Sequence, residues 1–170
     1  MKILIIATPR TGSSELASRL ARYLQLTVRY EPFNTGKTMH PLEPHDVQDK
    51  VVIKCIIDQV PPPFDKNDPI AFYLEYMKKF DKVILLRRGN VVKQIESWNW
   101  FSSHAPTRTH NKPYVYSRQP DYEAHEKYIL RLNSELDDLS RITKIPITYY
   151  EKCFQPDQDK FRQDDKRTAV

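Results

Sequence analysis

The sequence predicts an α/β fold in a single domain spanning residues 1–170: a mainly parallel central sheet with helices on both faces. Three observations carry this. Short runs of Val, Ile and Leu alternate with helical patterns along the chain. The runs are apolar throughout rather than at every second position, as in strands covered on both faces. Two of them, 2–7 and 82–88, end in a tight turn and pass directly into a helix, the connection of parallel strands.

KILIIA (2–7) is the first buried strand. SSELASRLARYLQ (13–25) is a helix, with Leu16, Leu20 and Leu24 on one face, Ala17 and Ala21 beside them, and Ser13 or Ser14 placed to cap its start. TVRYEPF (27–33) is a short second strand running into a loop, and residues 34–49, polar with prolines, are irregular. KVVIKCIIDQV (50–60) is a core strand. PPPFDKNDP (61–69) is a stiff surface connection, because consecutive prolines enter neither a helix interior nor a central strand. IAFYLEYMKKF (70–80) is a helix contributing Phe72, Leu74, Tyr76 and Phe80.

KVILLRR (82–88) is the fourth strand and NVVKQIESWNWF (90–101) the helix after it. Residues 102–122 form a loop long enough to read as a functional lid, beginning at Trp98, Trp100 and Phe101 and containing Tyr114 and Tyr116. DYEAHEKYILRLNSELDDLSRI (121–142) is a long amphipathic helix with Ile129, Leu132, Leu136 and Leu139 along one side. IPITYY (145–150) is the last strand, and the charged tail 155–170 frays.

With 39% apolar and 29% charged residues, the composition is that of a soluble globular protein. No apolar stretch reaches the roughly 20 residues of a membrane helix, and KILIIA is too short for a secretory signal, so the expected location is cytoplasmic. Cys55 and Cys153 form no CxxC or Cys/His cluster and read as free thiols, with no metal site. A net charge of +5 without blocks of Lys or Arg suits a small polyanion better than a nucleic acid.

The turn Pro9-Arg10-Thr11-Gly12-Ser13-Ser14 leads from a strand into a helix start, where free N–H groups and the helix dipole attract phosphate or sulfate. Gly12 permits close backbone approach, Thr11, Ser13 and Ser14 carry hydroxyls, and Arg10 adds a charge able to grip two oxygens. The same six residues also suit a plain turn with an N-cap. The second glycine and the lysine of a nucleotide-kinase loop are missing, and the 82–88 strand ends in arginines rather than a magnesium-binding carboxylate. In LLRRGNVVKQIES (85–97), Arg87 and Arg88 close a strand, where they pair either with a second phosphate or with surface carboxylates.

With both junctions in view, the chain resembles the PAPS-dependent sulfotransferase family. TPRTGSS (8–14) is similar to the family's 5′-phosphosulfate loop and LLRRGNVVKQIES (85–97) to its 3′-phosphate segment. YEPF (30–33) and VIKCIIDQ (52–59) resemble segments of the compact bacterial branch that includes trehalose 2-sulfotransferases. The resemblance implies a P-loop NTPase-like core and sulfuryl transfer from PAPS, without metal, to a hydroxyl of a carbohydrate or small metabolite. It implies that Arg10, Thr11, Gly12, Ser13 and Ser14 bind the 5′-phosphosulfate, and that Ser97 with Arg88, or Arg87 in its place, binds the 3′-phosphate. It further implies Glu31 as general base and Lys54 beside the reaction centre. The family's closing glycine- and lysine-containing segment has no glycine counterpart after Gly89.

Several alternatives stay open. Glu31 is either the base or a carboxylate paired with a neighbour such as Arg29. The rival base is a histidine among His40, His45, His104, His110 and His125, of which His125 reads as a surface residue. Lys54 either enters the site or snorkels to a strand end. Tyr150 and Glu151 read as structural. The competing functions are a domain that binds PAP or a sulfated ligand without turnover, and a P-loop metabolite kinase.

Overall fold

A computed structural model describes residues 1–34, 47, 49–62, 64–65, 68–104 and 121–154. Its strands are β1 (Lys2–Ala7), β2 (Thr27–Tyr30), β3 (Val51–Ile56), β4 (Lys82–Arg87) and β5 (Ile147–Tyr149). The helices are α1 (Ser13–Leu24), α2 (Pro69–Tyr76, extended by a 3-10 turn Met77–Lys79), α3 (Val91–His104), α4 (Tyr122–Thr143) and the short α5 (Tyr150–Cys153). The sheet order is β2-β3-β1-β4-β5, and every neighbouring pair is parallel.

The continuous apolar runs are explained by helices on both faces. Leu4, Ile6, Ile53 and Leu85 pack against Phe72, Tyr73 and Tyr76 of α2 and Leu132, Leu136 and Leu139 of α4. The alternate residues Ile3, Ile5, Val52 and Leu86 pack against Ala17 and Ala21 of α1, with Leu16, Leu20 and Leu24 half-buried around them. Both parities are therefore buried on the central strands.

Register sets the site. Ala7, the last residue of β1, is level with Ile56 on one side and Leu86 on the other. Two amides beyond the ladder hold the three ends together: Thr8 donates to Leu86 O at 3.3 Å and Ile57 to Ala7 O at 3.0 Å. Whatever leaves these strands converges at one carboxyl edge, where open α/β sheets bind ligands.

Several boundaries differ from the sequence reading. β2 stops at Tyr30, because Glu31 takes φ 49° and turns the chain out of the strand. β3 stops at Ile56, where Ile57 and Asp58 turn. α2 yields to the 3-10 turn before Phe80. α3 continues to His104, so residues 102–104 belong to a helix rather than a loop. β5 covers only 147–149, and Tyr150 begins α5. The remainder of the lid, residues 105–120 with His110, Tyr114 and Tyr116, lies outside the described residues, as do His40, His45 and the tail 155–170.

Candidate functional site

The first corner leaves β1 at Thr8. Arg10 and Gly12 both take left-handed φ, 60° and 68°, curling the chain so that α1 starts at Ser13. Leu16 N–H bonds Gly12 O at 3.0 Å, closing the first helical turn; the amides ahead of it are those a helix start leaves without an intrahelical acceptor. Thr11 is buried and its hydroxyl donates to Thr8 O at 2.8 Å, so the side chain shapes the loop and the amide is what it offers a ligand. Ser13 is buried and Ser14 exposed; neither hydroxyl caps the helix.

A residue the sequence reading passed over anchors this corner. Gln94 of α3 is fully buried; its amide nitrogen donates to Thr8 Oγ1 at 2.9 Å and Pro9 O at 2.7 Å, and its oxygen accepts from Asn133 of α4 at 3.3 Å. The only signal was a glutamine among Val91, Ile95 and Trp98 on the inward side of a helix.

The second corner follows β4, and its two arginines have different fates. Arg87 makes two 2.7 Å bonds from Nη1 to Asp137 and one of 3.3 Å to the Tyr149 hydroxyl, so its charge is paired within the protein even though its Nε, like that of Arg88, has no acceptor among the described residues. Among the described residues, Arg88 donates one long 3.3 Å bond, to Lys93 O, and its Nε is buried without an acceptor. Glu151 approaches that nitrogen at 4.0 Å, but its two oxygens take the amides of Gly89 (2.8 Å) and Asn90 (3.1 Å). Burial is the largest single influence and raises the Glu151 pKa, but the backbone amides and the Arg88 charge together outweigh it and hold it below its ordinary value.

The corners meet. Arg10 Nε donates to Ser97 Oγ of α3 at 3.1 Å, and its guanidinium lies 4.9 Å over the Phe101 ring. The Arg10 pKa is held below its ordinary value by burial and by the charge of Arg88. Two arginines thus face one region, with no carboxylate in salt-bridge contact with Arg10 among the described residues. Such a pair of like charges is relieved by an anion.

The third group lies just past β2 and on β3 at the same edge. Lys54, buried within β3, bonds Glu31 Oε1 at 2.5 Å, while Glu31 Oε2 accepts from Asn34 and Gln59, each at 3.0 Å. Tyr73 fixes the turn carrying Gln59, its hydroxyl 2.9 Å from Ile56 O and 3.0 Å from Gln59 O. Burial pushes the Glu31 carboxyl up, but the Lys54 charge and the three donors prevail and bring it to about 2. Glu31 is therefore paired with Lys54, which directs its ammonium at that carboxylate.

The remaining candidates stand apart. His125 is half-buried rather than on the surface: its Nδ1 lies 2.7 Å from Asn99 Oδ1 and its ring meets Trp98 edge-on. Trp98 also packs on Tyr128 at 5.4 Å and belongs to the α3–α4 seam instead of a lid. His104 lies in the last turn of α3. Asp58, two residues past β3, is the carboxylate the strand-end reading overlooked; it accepts the Tyr128 hydroxyl at 2.6 Å. Cys55 and Cys153 are free thiols. Among the described residues there is no group of His, Cys, Asp and Glu suited to a metal, and no helix is long and apolar enough to cross a membrane. Neither the protein-family models nor the curated proteins contain a match to this chain.

Proposed function

We propose that this protein is a small PAPS-dependent sulfotransferase with a P-loop-like core, moving a sulfuryl group to a hydroxyl of a carbohydrate or small metabolite. One observation carries the reading: Arg10, bonded to Ser97 of α3, feels the charge of Arg88 from the neighbouring strand end, and a buried Arg88 nitrogen lacks an acceptor among the described residues. A loop leaving the central strand of a β2-β3-β1-β4-β5 sheet supports the P-loop-like assignment. The residues fit the donor. Arg10 with the amides of Thr11, Gly12, Ser13 and Ser14 would hold its 5′-phosphosulfate, and Arg88 with Ser97 its 3′-phosphate.

PAPS supplies the sulfuryl group and a bisphosphate leaving group. The protein's part is to neutralise charge growing on the leaving phosphate oxygen, for which Arg10 and the loop amides are placed. It must also orient the acceptor hydroxyl. Glu31 accepts hydrogen bonds from Lys54, Asn34 and Gln59, which fix the orientation of its carboxylate at the sheet edge. With a pKa of about 2 it is a weak proton acceptor at neutral pH, so its contribution is positioning more than base catalysis. That same weak basicity favours a second reading, in which the domain binds PAP or a sulfated ligand and does not turn over.

A thermal-shift comparison of PAP, AMP and ATP tests the proposal. At a hundredfold excess over Kd, PAP should raise Tm by about 5–10 °C and AMP and ATP by much less. Equal shifts, or none, overturn it. PAP release from PAPS across a panel of sugars then separates turnover from binding alone.

A further inference from the structure

Bringing Arg10 and Arg88 together costs electrostatic energy, so something must hold the corners at their separation. Tyr150 touches both. A Cβ placed on Gly12 would lie 2.3 Å from Tyr150 Cε2 and 2.6 Å from Cδ2, so the ring edge rests directly on the glycine backbone. The Arg88 guanidinium lies 5.7 Å from the centre of the same ring. Phe154 packs on Tyr150 at 4.7 Å, and Arg19 of α1 covers Phe154 at 4.8 Å. The next residue, Glu151, fixes the Gly89 and Asn90 amides. A stack of Arg88, Tyr150, Phe154 and Arg19 therefore runs from the second corner, past the first, onto the helix that the first corner begins.

From this juxtaposition we infer that Tyr150 is a positioning residue: a rigid spacer that fixes the distance between the two anion corners and so selects ligands with two anionic groups over ligands with one. The inference rests on the corners being a bisphosphate site. A planar ring has few internal freedoms, and a guanidinium stacked on it is pre-ordered, which lowers the entropic cost of engaging both ends of a ligand at once. A ligand that uses the first corner alone gains nothing from the spacing. The ring is thus a determinant of selectivity more than of anion affinity.

The test is calorimetric titration of adenosine 3′,5′-bisphosphate and adenosine 5′-monophosphate into wild type, Tyr150→Phe and Tyr150→Leu. The Phe variant should keep the wild-type ratio of the two affinities within about twofold. The Leu variant should lose roughly tenfold of that ratio, the scale of a desolvated cation–π contact, through weaker bisphosphate binding at unchanged monophosphate binding. Should Leu fail to fold, Tyr150→Met, of similar bulk but flexible, is expected to show the same loss. Parallel weakening of both nucleotides, or a ratio that survives the Leu or Met change, overturns the spacer while leaving the anion site standing. Wild type binding neither nucleotide removes the site reading and the spacer with it.

Discussion

Glu31→Gln probes the ion pair that decides what Glu31 can do. Lys54 Nζ sits 2.5 Å from the carboxylate with 3% of its side chain exposed, so the isosteric change leaves a buried ammonium without a counter-charge. Removing one partner of a buried pair costs about 3–5 kcal/mol. The carboxyl's own displacement from 4.5 to about 2 corresponds to about 3 kcal/mol, reduced to about 2 by screening of the part that reaches solvent. The larger figure includes the stranded lysine and the smaller does not, so a loss of about 3 kcal/mol is expected, or about 6–12 °C in Tm for a chain of this size. Urea unfolding at pH 7, followed by the fluorescence of Trp98 and Trp100, measures it. The sign with pH follows from the depressed pKa: the stabilisation is full above about 4.5 and disappears as pH falls towards 2. Over that interval wild type should lose about 2 kcal/mol more than Glu31→Gln. Adding Lys54→Met should recover part of the loss, because the orphaned charge goes too. A Glu31→Gln penalty below about 1 kcal/mol, or parallel acid profiles, refutes the reasoning.

Gly12→Ala combines a left-handed φ with a collision against the Tyr150 ring and should cost on the order of 2 kcal/mol; differential scanning calorimetry should show the penalty shrinking in a Tyr150→Ala background. Gln94→Leu strips the buried Thr8 and Pro9 acceptors and the Asn133 donor of their partner, for about 1–3 kcal/mol in urea melts. It should also weaken PAP binding by loosening the first corner. Arg87→Met breaks the Asp137 pair, so it should lower Tm by a few degrees while leaving the PAP affinity measured by calorimetry unchanged.

The elements that positioned the site were legible because their signals are local. An unbroken apolar run, a turn with one glycine and a leucine repeat yielded β1, the first corner and α1 nearly to the residue. The fate of the two arginines was not legible. Adjacent identical side chains on a strand end point to opposite faces, and only the fold reveals that Asp137 waits on Arg87's side and Tyr150 on Arg88's. Gln94 escaped for the same reason, since its partners Thr8 and Pro9 lie more than eighty positions away. Tyr150 and Glu151 were noticed, but as structural residues closing a strand. Their contacts with Gly12, Arg88 and Gly89 place them at the corners themselves. Lys54 looked anomalous in an apolar strand, and the partner explaining it depended on Glu31 turning out of β2 at a positive φ.

The central claim is that Gly12 and Arg88 mark two ends of one anion-binding hollow. Titrating PAP and AMP into wild type, Arg10→Ala and Arg88→Ala addresses it most directly. Arg88→Ala should weaken PAP by at least about tenfold, as for a lost charge-assisted hydrogen bond, and leave AMP within twofold, whereas Arg10→Ala should weaken both. An Arg88→Ala protein that binds PAP as wild type does would show that the second corner holds no phosphate, and the account would fail.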